Sequence, residues 1–258
     1  GGLGSAADVA VAAEGTKFSY SEVRLGLGPA TISPFVIEKI GAGHARALFT
    51  TGEVFETEKA LRIGLVHDVA GVDEVGRGAL FGPVVAAAVL MPIEAISQLQ
   101  ALGVKDSKQL SPQRRTHLAG ELPNHLHSYG ISFADVPTIE RVNIRQASLL
   151  AMERAVQKLP VMPAYVLVDG RDTLPHIAMA QMAVTGGDRK SLLIGAASIL
   201  AKVWRDSLIT RLAERFPDYD LANNKGYGTA KHRHGLQQCG TTPLHRQLFC
   251  RKIIGNLD

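Results

Sequence analysis

Cysteine is nearly absent. Cys239 and Cys250 are the only two in 258 residues, eleven positions apart near the C-terminus. That spacing suits no zinc pattern, and two thiols are too few to staple a secreted scaffold, so a reduced, cytoplasmic protein is expected. Long apolar runs are missing too. The longest uncharged stretch, Gly78 to Ile93, contains two prolines and falls short of the roughly 20 residues a spanning helix needs. No basic n-region with a cleavage site opens the chain, so nothing argues for export. Short repeats, low-complexity tracts and charged tails are also lacking.

What is present has the composition of an ordinary globular protein, 46% apolar and 20% charged, long enough for one large domain or two small ones. The net charge of +4 is unevenly spread. Residues 1–70 carry six Lys/Arg against eight Asp/Glu, a net of −2; residues 71–258 carry twenty-two against sixteen, a net of +6. The basic excess in the second part hints at a polyanionic partner there.

Composition changes near Ala70. Before it, helices are expected around Pro34–Thr50 and Phe55–Ile63, with Gly52 and Gly64 as stops. After it, strands and helices alternate. Strands are expected at Val84–Leu90, Ser128–Phe133 and in "AYVLVDG". Helices are expected from Pro112, from about Asn143 to Leu159, and from about Gly195 to Phe216. A Gly-rich basic loop, "NNKGYGTAKHRHG", follows. This alternation argues for a layered α/β domain.

Four acids stand out. Asp73 and Glu74 lie in "GVDEVGRGALFGPVVAAAV", at the mouth of an apolar run where an unpartnered carboxylate costs several kcal/mol by order of magnitude. Asp169 ends "YVLVD" and precedes a turn glycine, at the sheet edge where α/β proteins keep ligand sites. Asp206 lies on the long helix, with Ile199 and Val203 beside it by helical spacing and Lys202 one turn before. Successive strand residues point to opposite faces, so Asp73 and Glu74 converge only if the strand ends or bulges, for which Gly76 provides latitude. An oxygen-only set of this kind suits hard cations such as Mg²⁺ or Mn²⁺.

Residues 71–258 resemble the bacterial ribonuclease HII (type 2 ribonuclease H) family. The resemblance rests on "GVDEVGRGALFGPVVAAAV", "VKDSKQLS", "NIRQASLLAMERAV", "VLVDG", "GGDRKSLLIGAASILAKVWRD", "KGYGTAKH" and "PLHRQLF", in the family's order. It implies a ribonuclease H-like mixed sheet flanked by helices and a monomeric catalytic domain. It also implies a two-metal nuclease that cuts the RNA strand of RNA–DNA hybrids, and cuts 5′ to a single ribonucleotide embedded in duplex DNA. By position it makes Asp73, Glu74, Asp169 and Asp206 the catalytic, metal-binding acids. It places Gly76, Arg77 and Gly78 against the ribose 2′-hydroxyl and Tyr227 at the RNA–DNA junction. Lys108, Ser198 and Lys202 fall near the substrate phosphates. Val75, Ala79, Trp204 and Asn224 depart from the commonest family pattern, and none of them is a metal ligand.

Residues 1–70 resemble an internal stretch of the crotonase (enoyl-CoA hydratase/isomerase) family. Gly1 and Gly2 fall at its oxyanion-hole segment and Glu22 at one hydratase acid, while the other acid's place is taken by Gly2. An oxyanion hole needs paired, preorganised donors, so this partial crotonase-like segment is read as non-catalytic, its apolar Phe35, Val36, Ile37, Leu48 and Phe49 lacking their usual partners. Two other readings of the chain are a nucleic-acid-binding protein with an inactive metal site, and an acyl-CoA-processing enzyme acting through the first segment. Retention of all four acids argues against the first, and the missing half of the oxyanion hole against the second.

Overall fold

In the computed structural model, residues 17–20, 32–65, 68–92, 95–104 and 107–255 are described. Gly1, Gly2 and Glu22 therefore lie outside the described residues. Among those described, no helix is long and apolar enough to cross a membrane. The elements that position the site are helix α1 (Ser33–Thr51), strands β1 (Asp68–Val75) and β2 (Val84–Pro92), helix α2 (Pro112–Glu121) and strand β3 (Ser128–Ala134). Helix α3 (Val136–Gln157), strands β4 (Tyr165–Asp169) and β5 (Ala180–Val184), and helices α4 (Leu192–Ala213), α5 (Ala230–Cys239) and α6 (Gln247–Ile254) follow.

The five strands form one mixed sheet in the order β3-β2-β1-β4-β5. β1–β2 and β2–β3 are antiparallel, whereas β1–β4 and β4–β5 are parallel. β2, with eight of its nine residues buried, is covered on both faces, as its unbroken apolar run predicts. Ala70, Val72, Ala86 and Ala88 pack under Leu149, Met152 and Val156 of α3. Val69, Val85, Ala87 and Val89 pack under Leu193, Ala197 and Leu200 of α4. Gly71 sets the spacing on that second face: a Cβ there would lie 2.6 Å from the Leu193 backbone. Only glycine lets α4 approach the central strand so closely.

The expected helix start at Asn143 corresponds to a break inside α3. Asn143 takes φ 68°, and its side-chain oxygen accepts from the amides of Arg145 and Gln146, capping the segment that follows. A preceding turn, capped by Asp135 through Thr138, continues into it. β5, which no apolar run announces, gains its order by pairing with β4. At the other edge, β3 exposes Tyr129 and Phe133, and Trp204 of α4 stacks on Phe133 with ring centroids 6.1 Å apart. Lys158 and Arg154 donate to the carbonyls of Ile131 and Phe133 on that edge.

Two smaller cores complete the chain. Leu80, Phe81, Ile209, Tyr219, Leu236 and Cys250 bind the end of α4 to α5 and α6. The other lies wholly within the first segment: Tyr20, Val36, Ile40, Leu48, Phe55, Ile63 and Leu65. Val36 and Leu48 thus find partners within their own segment, whereas Phe35 and Ile37 remain exposed.

The division expected at Ala70 falls inside β1. Asp68, Val69 and Ala70 pair with Pro92, Met91 and Leu90, and the Asp68 carboxylate meets His127 at 2.7 Å. A chain starting at Asp68 is therefore expected to melt close to the full-length protein. One starting at Gly71 loses buried Val69, worth roughly 1.5–3 kcal/mol, and should melt several degrees lower. Thermal denaturation of the two truncated chains checks this, and equal midpoints would place the boundary at Ala70 after all.

Candidate active site

Val72 of β1 pairs with Ala88 on one side and with Val168 of β4 on the other. Asp73 and Asp169 each follow one residue later, so the two carboxylates start from the same level of neighbouring strands. The β1–β4 ladder stops there, while β1 stays paired to β2, residue for residue, as far as Val75 and Val85. No bulge is needed to gather Asp73 and Glu74. The lapse of the neighbouring strand opens the space, and Gly76, at φ 91°, turns the chain away only after both acids have been placed. One carboxylate oxygen from each of Asp73, Glu74 and Asp169 lies within 4.8 Å of the others.

Fixed dipoles and one cation hold this group. The Asp169 carboxylate accepts the Gly187 amide at 2.6 Å, and Asp73 accepts its neighbour's amide at 2.7 Å. Ser198, on the α4 face toward the sheet, favours the charged form of Asp73 and shares a 2.9 Å contact with the Ser107 hydroxyl. Arg77 donates to Glu74 at 3.1 Å. Burial, aggravated by the Glu74 and Asp169 charges, pushes the Asp73 carboxyl well above its usual range. Burial also raises Glu74, against the opposing pull of Arg77. The second Glu74 oxygen is buried with no hydrogen-bond partner. An anionic, oxygen-only pocket with an unmet acceptor fits a hard divalent cation.

The other expected residues fall around this group. Arg77 is half-exposed at the rim, and Gly78 faces open space. Lys108 sits in the helical turn Ser107–Gln109, its side chain outside the described residues. Lys202, one turn beyond Ser198, pairs with Asp206 at 2.9 Å and lies 5.5 Å from the centre of the Tyr227 ring. Asp206 does not join the acidic group, nor does it turn to the sheet as its apolar neighbours suggest. It is partly exposed beside Lys202, eight residues past Ser198 or about 12 Å along the helix.

Sequence reasoning passed over Asp188. It is buried in the short turn Gly187–Lys190, next to the amide that fixes Asp169. It also passed over Arg205 and Arg246, both fully buried. The signal for Arg205 is its spacing from Ser198, Ala201 and Ile209, all on the buried stripe of α4.

Beneath Tyr227 lies a chain of neutral imidazoles. The His232 Nδ1 faces the Tyr227 carbonyl at 2.9 Å and must donate, leaving Nε2 to accept from His245 Nε2 at 3.0 Å. His245 Nδ1 in turn accepts the Thr242 amide. Every ring nitrogen is satisfied only when both rings are uncharged. Burial and the facing His232 push His245 down to about 4.

Mixed sheet, flanking helices and acidic group together define a ribonuclease H-like, metal-dependent nuclease. The ribonuclease HII family model matches residues 70–252, and the chain belongs to that family of hydrolytic endoribonucleases. It is 87% identical over 190 residues to the ribonuclease HII of Synechocystis sp., covering 74% of this chain and all of that one. Against the ribonuclease HII of Acaryochloris marina the identity is 55%, over 71% of this chain and 92% of the relative. Among solved structures, ribonuclease H2 from Pyrococcus horikoshii superposes with a TM-score of 0.64 at 28% identity, over 73% of this chain and 98% of that one. A second model, enoyl-CoA hydratase/isomerase, matches residues 1–128 and so overlaps the first. Within the overlap, residues 70–75, residues 84–92 and Ser128 belong to strands of the nuclease sheet.

Two outcomes follow from the charges. A carboxyl raised by burial and by neighbouring charges weakens the fold as pH rises through its folded pKa, since the folded state then carries an unfavoured charge. Asp73→Asn is therefore expected to melt higher than the wild type at pH 7 without metal, an advantage that fades as pH falls through the carboxylate range. Added Mn²⁺ should raise the wild-type midpoint more than the variant's. Melting curves with EDTA and with Mn²⁺ test both, and a variant no more stable in EDTA would contradict the crowding.

For His245 the sign is opposite. The unfolded chain takes up a proton near pH 6.5 and the folded chain only near 4, so stability is full above 6.5 and drains away between those values. His245→Gln should flatten that part of the curve of melting midpoint against pH. An unchanged slope would show that the pair is not the titrating element.

Proposed function

We propose that the protein hydrolyses the RNA strand of RNA–DNA hybrids and cuts 5′ to single ribonucleotides embedded in duplex DNA, leaving a 5′-phosphomonoester. The observation that carries this reading is the buried acidic group with its unpartnered Glu74 oxygen, set beside a glycine-flanked arginine. Asp73, Glu74 and Asp169 would hold Mn²⁺ or Mg²⁺, two ions in all, with Asp188 completing the acidic set from the turn that fixes Asp169. Cations bound there supply Lewis acidity for phosphodiester hydrolysis.

The chain's own residues do the rest. Ser198 and the Gly187 amide orient Asp73 and Asp169. Arg77 holds Glu74 from the rim and stands where a ribose would approach. Gly76 and Gly78 let the backbone come close to the sugar, whose 2′-hydroxyl is the group that distinguishes RNA from DNA. Tyr227, with Lys202 and Arg205 over its ring at 5.5 and 5.4 Å, offers a rigid face to the junction. Asp206 serves to place Lys202, and Lys108 and Lys202 meet phosphates. Affinity for the duplex comes mainly from backbone contacts of the basic domain and falls steeply with salt.

A duplex DNA with one ribonucleotide, incubated with Mn²⁺ or EDTA, tests this reading. Cleavage with Mn²⁺ and none with EDTA is expected, whereas binding without cleavage would leave a nucleic-acid-binding protein. Asp73→Asn and Asp169→Asn should each lower cleavage by about 100-fold or more. Asp188→Asn should cost more than Asp206→Asn, and the reverse order would return Asp206 to the metal-binding set.

A further inference from the structure

Arg205 is fully buried, and no carboxylate among the described residues forms an ion pair with it. Its partners are three backbone carbonyls. Nε donates to Pro83 at 3.0 Å, Nη2 to Phe81 at 3.0 Å and Nη1 to Lys225 at 2.9 Å. The first two belong to the loop that begins at Gly76, and the third lies two residues before Tyr227. The face of the same guanidinium covers the Tyr227 ring. Gly76 presses on it so closely that a Cβ there would lie 2.2 Å from Nε.

The backbone repeats the connection, since the amides of Leu80 and Phe81 both donate to the Gly226 carbonyl. Arg246 holds the far side of the loop through Arg77 and Gly82. A buried charge without a counter-charge is poor value as a stabiliser, because a well-packed apolar side chain would cost less to bury. What the guanidinium provides is a planar fork that fixes several acceptors at set angles, which neither lysine nor an apolar residue can do.

We infer that Arg205 is a positioning residue for ribonucleotide recognition: it locks the loop carrying Gly76, Arg77 and Gly78 to the turn carrying Tyr227, so that both read the same nucleotide. This rests on the reading above that loop and tyrosine contact the ribonucleotide. The role predicts a particular pattern of loss. A single ribonucleotide offers one register in which loop and tyrosine must agree. A continuous RNA strand offers many, so a loosened pair still finds a productive one.

The test compares cleavage of a single-ribonucleotide duplex with cleavage of a continuous RNA–DNA hybrid in Arg205→Lys, alongside Arg77→Ala, Tyr227→Phe and the Arg205→Lys/Tyr227→Phe double variant. Arg205→Lys should lower kcat on the single-ribonucleotide duplex by about tenfold or more, the scale on which small misplacements act. KM for that duplex should stay within about twofold, and the hybrid should be affected less. In the double variant the loss should approach that of the more damaging single change, because one alignment is being lost twice.

Equal losses on both substrates, or losses that multiply, would overturn the inference and leave Arg205 a purely structural residue. If Arg77→Ala and Tyr227→Phe leave the ratio of the two substrates unchanged, the underlying reading fails and the inference falls with it. If they change the ratio and a folded Arg205→Lys does not, the inference alone fails. Should Arg205→Lys not fold by thermal melting, Gly226→Ala takes its place. Its Cβ would sit 2.7 Å from the Phe81 carbonyl, the acceptor of Arg205 Nη2, and so disturb the same junction while keeping the arginine itself. An unaltered ratio there overturns the inference equally.

Discussion

The burial and mutual repulsion of the Asp73, Glu74 and Asp169 carboxylates, one buried and two half-buried, are the constraint that organises the rest of the domain. Each neighbour of the group lowers its cost by a small amount: the Ser198 hydroxyl, the Gly187 amide, the Arg77 guanidinium. None of them neutralises it, and one oxygen of Glu74 is left with no partner. A fold selected for stability alone would have placed alanine or valine here, as β2 does on the adjacent strand. The residual strain is what gives a cation a reason to bind.

Around that group the chain is built in unequal parts. The sheet and its two helical layers supply rigidity. The end of α4 and the C-terminal helices form a block in which buried Arg205 and Arg246 hold a loop by its carbonyls rather than by ion pairs. The first segment has a core of its own that shares no residue with the nuclease cores. Its family match runs past that core to residue 128, but pairing with β2 and β4 commits the chain from Asp68 onward to the nuclease sheet. The Synechocystis relative, matched over its whole length by 190 residues of this chain, has no counterpart to most of that segment.

Much of this was legible from residue order. The apolar run of β2, the acid ending β4 and the helix start near Asn143 are local signals, and local signals survive folding unchanged. Three things were not legible. β5 alternates exposed and half-buried residues and depends on β4 for its order. The convergence of Asp73 and Glu74 depends on where a neighbouring strand stops, which no property of β1 reveals. That Asp206 stands apart from the acidic group depends on distance along a helix axis. Asp206 has the apolar flanks that attract notice, whereas Asp188 lies in a short turn whose place is set by the clasp between Gly187 and Asp169.

The outer edge of the sheet shows a different use of charge. The carbonyls of Ile131 and Phe133 face outward from β3, and side chains of Lys158 and Arg154 occupy them. An open edge flanked by exposed tyrosine and phenylalanine would otherwise template the addition of a foreign strand. With two outward acceptors already engaged, and an ammonium lying across the approach, an incoming strand must first displace a cation before it gains a hydrogen bond. The exposed rings of Tyr129 and Phe133 can thus stay in water without offering a free strand edge beside them.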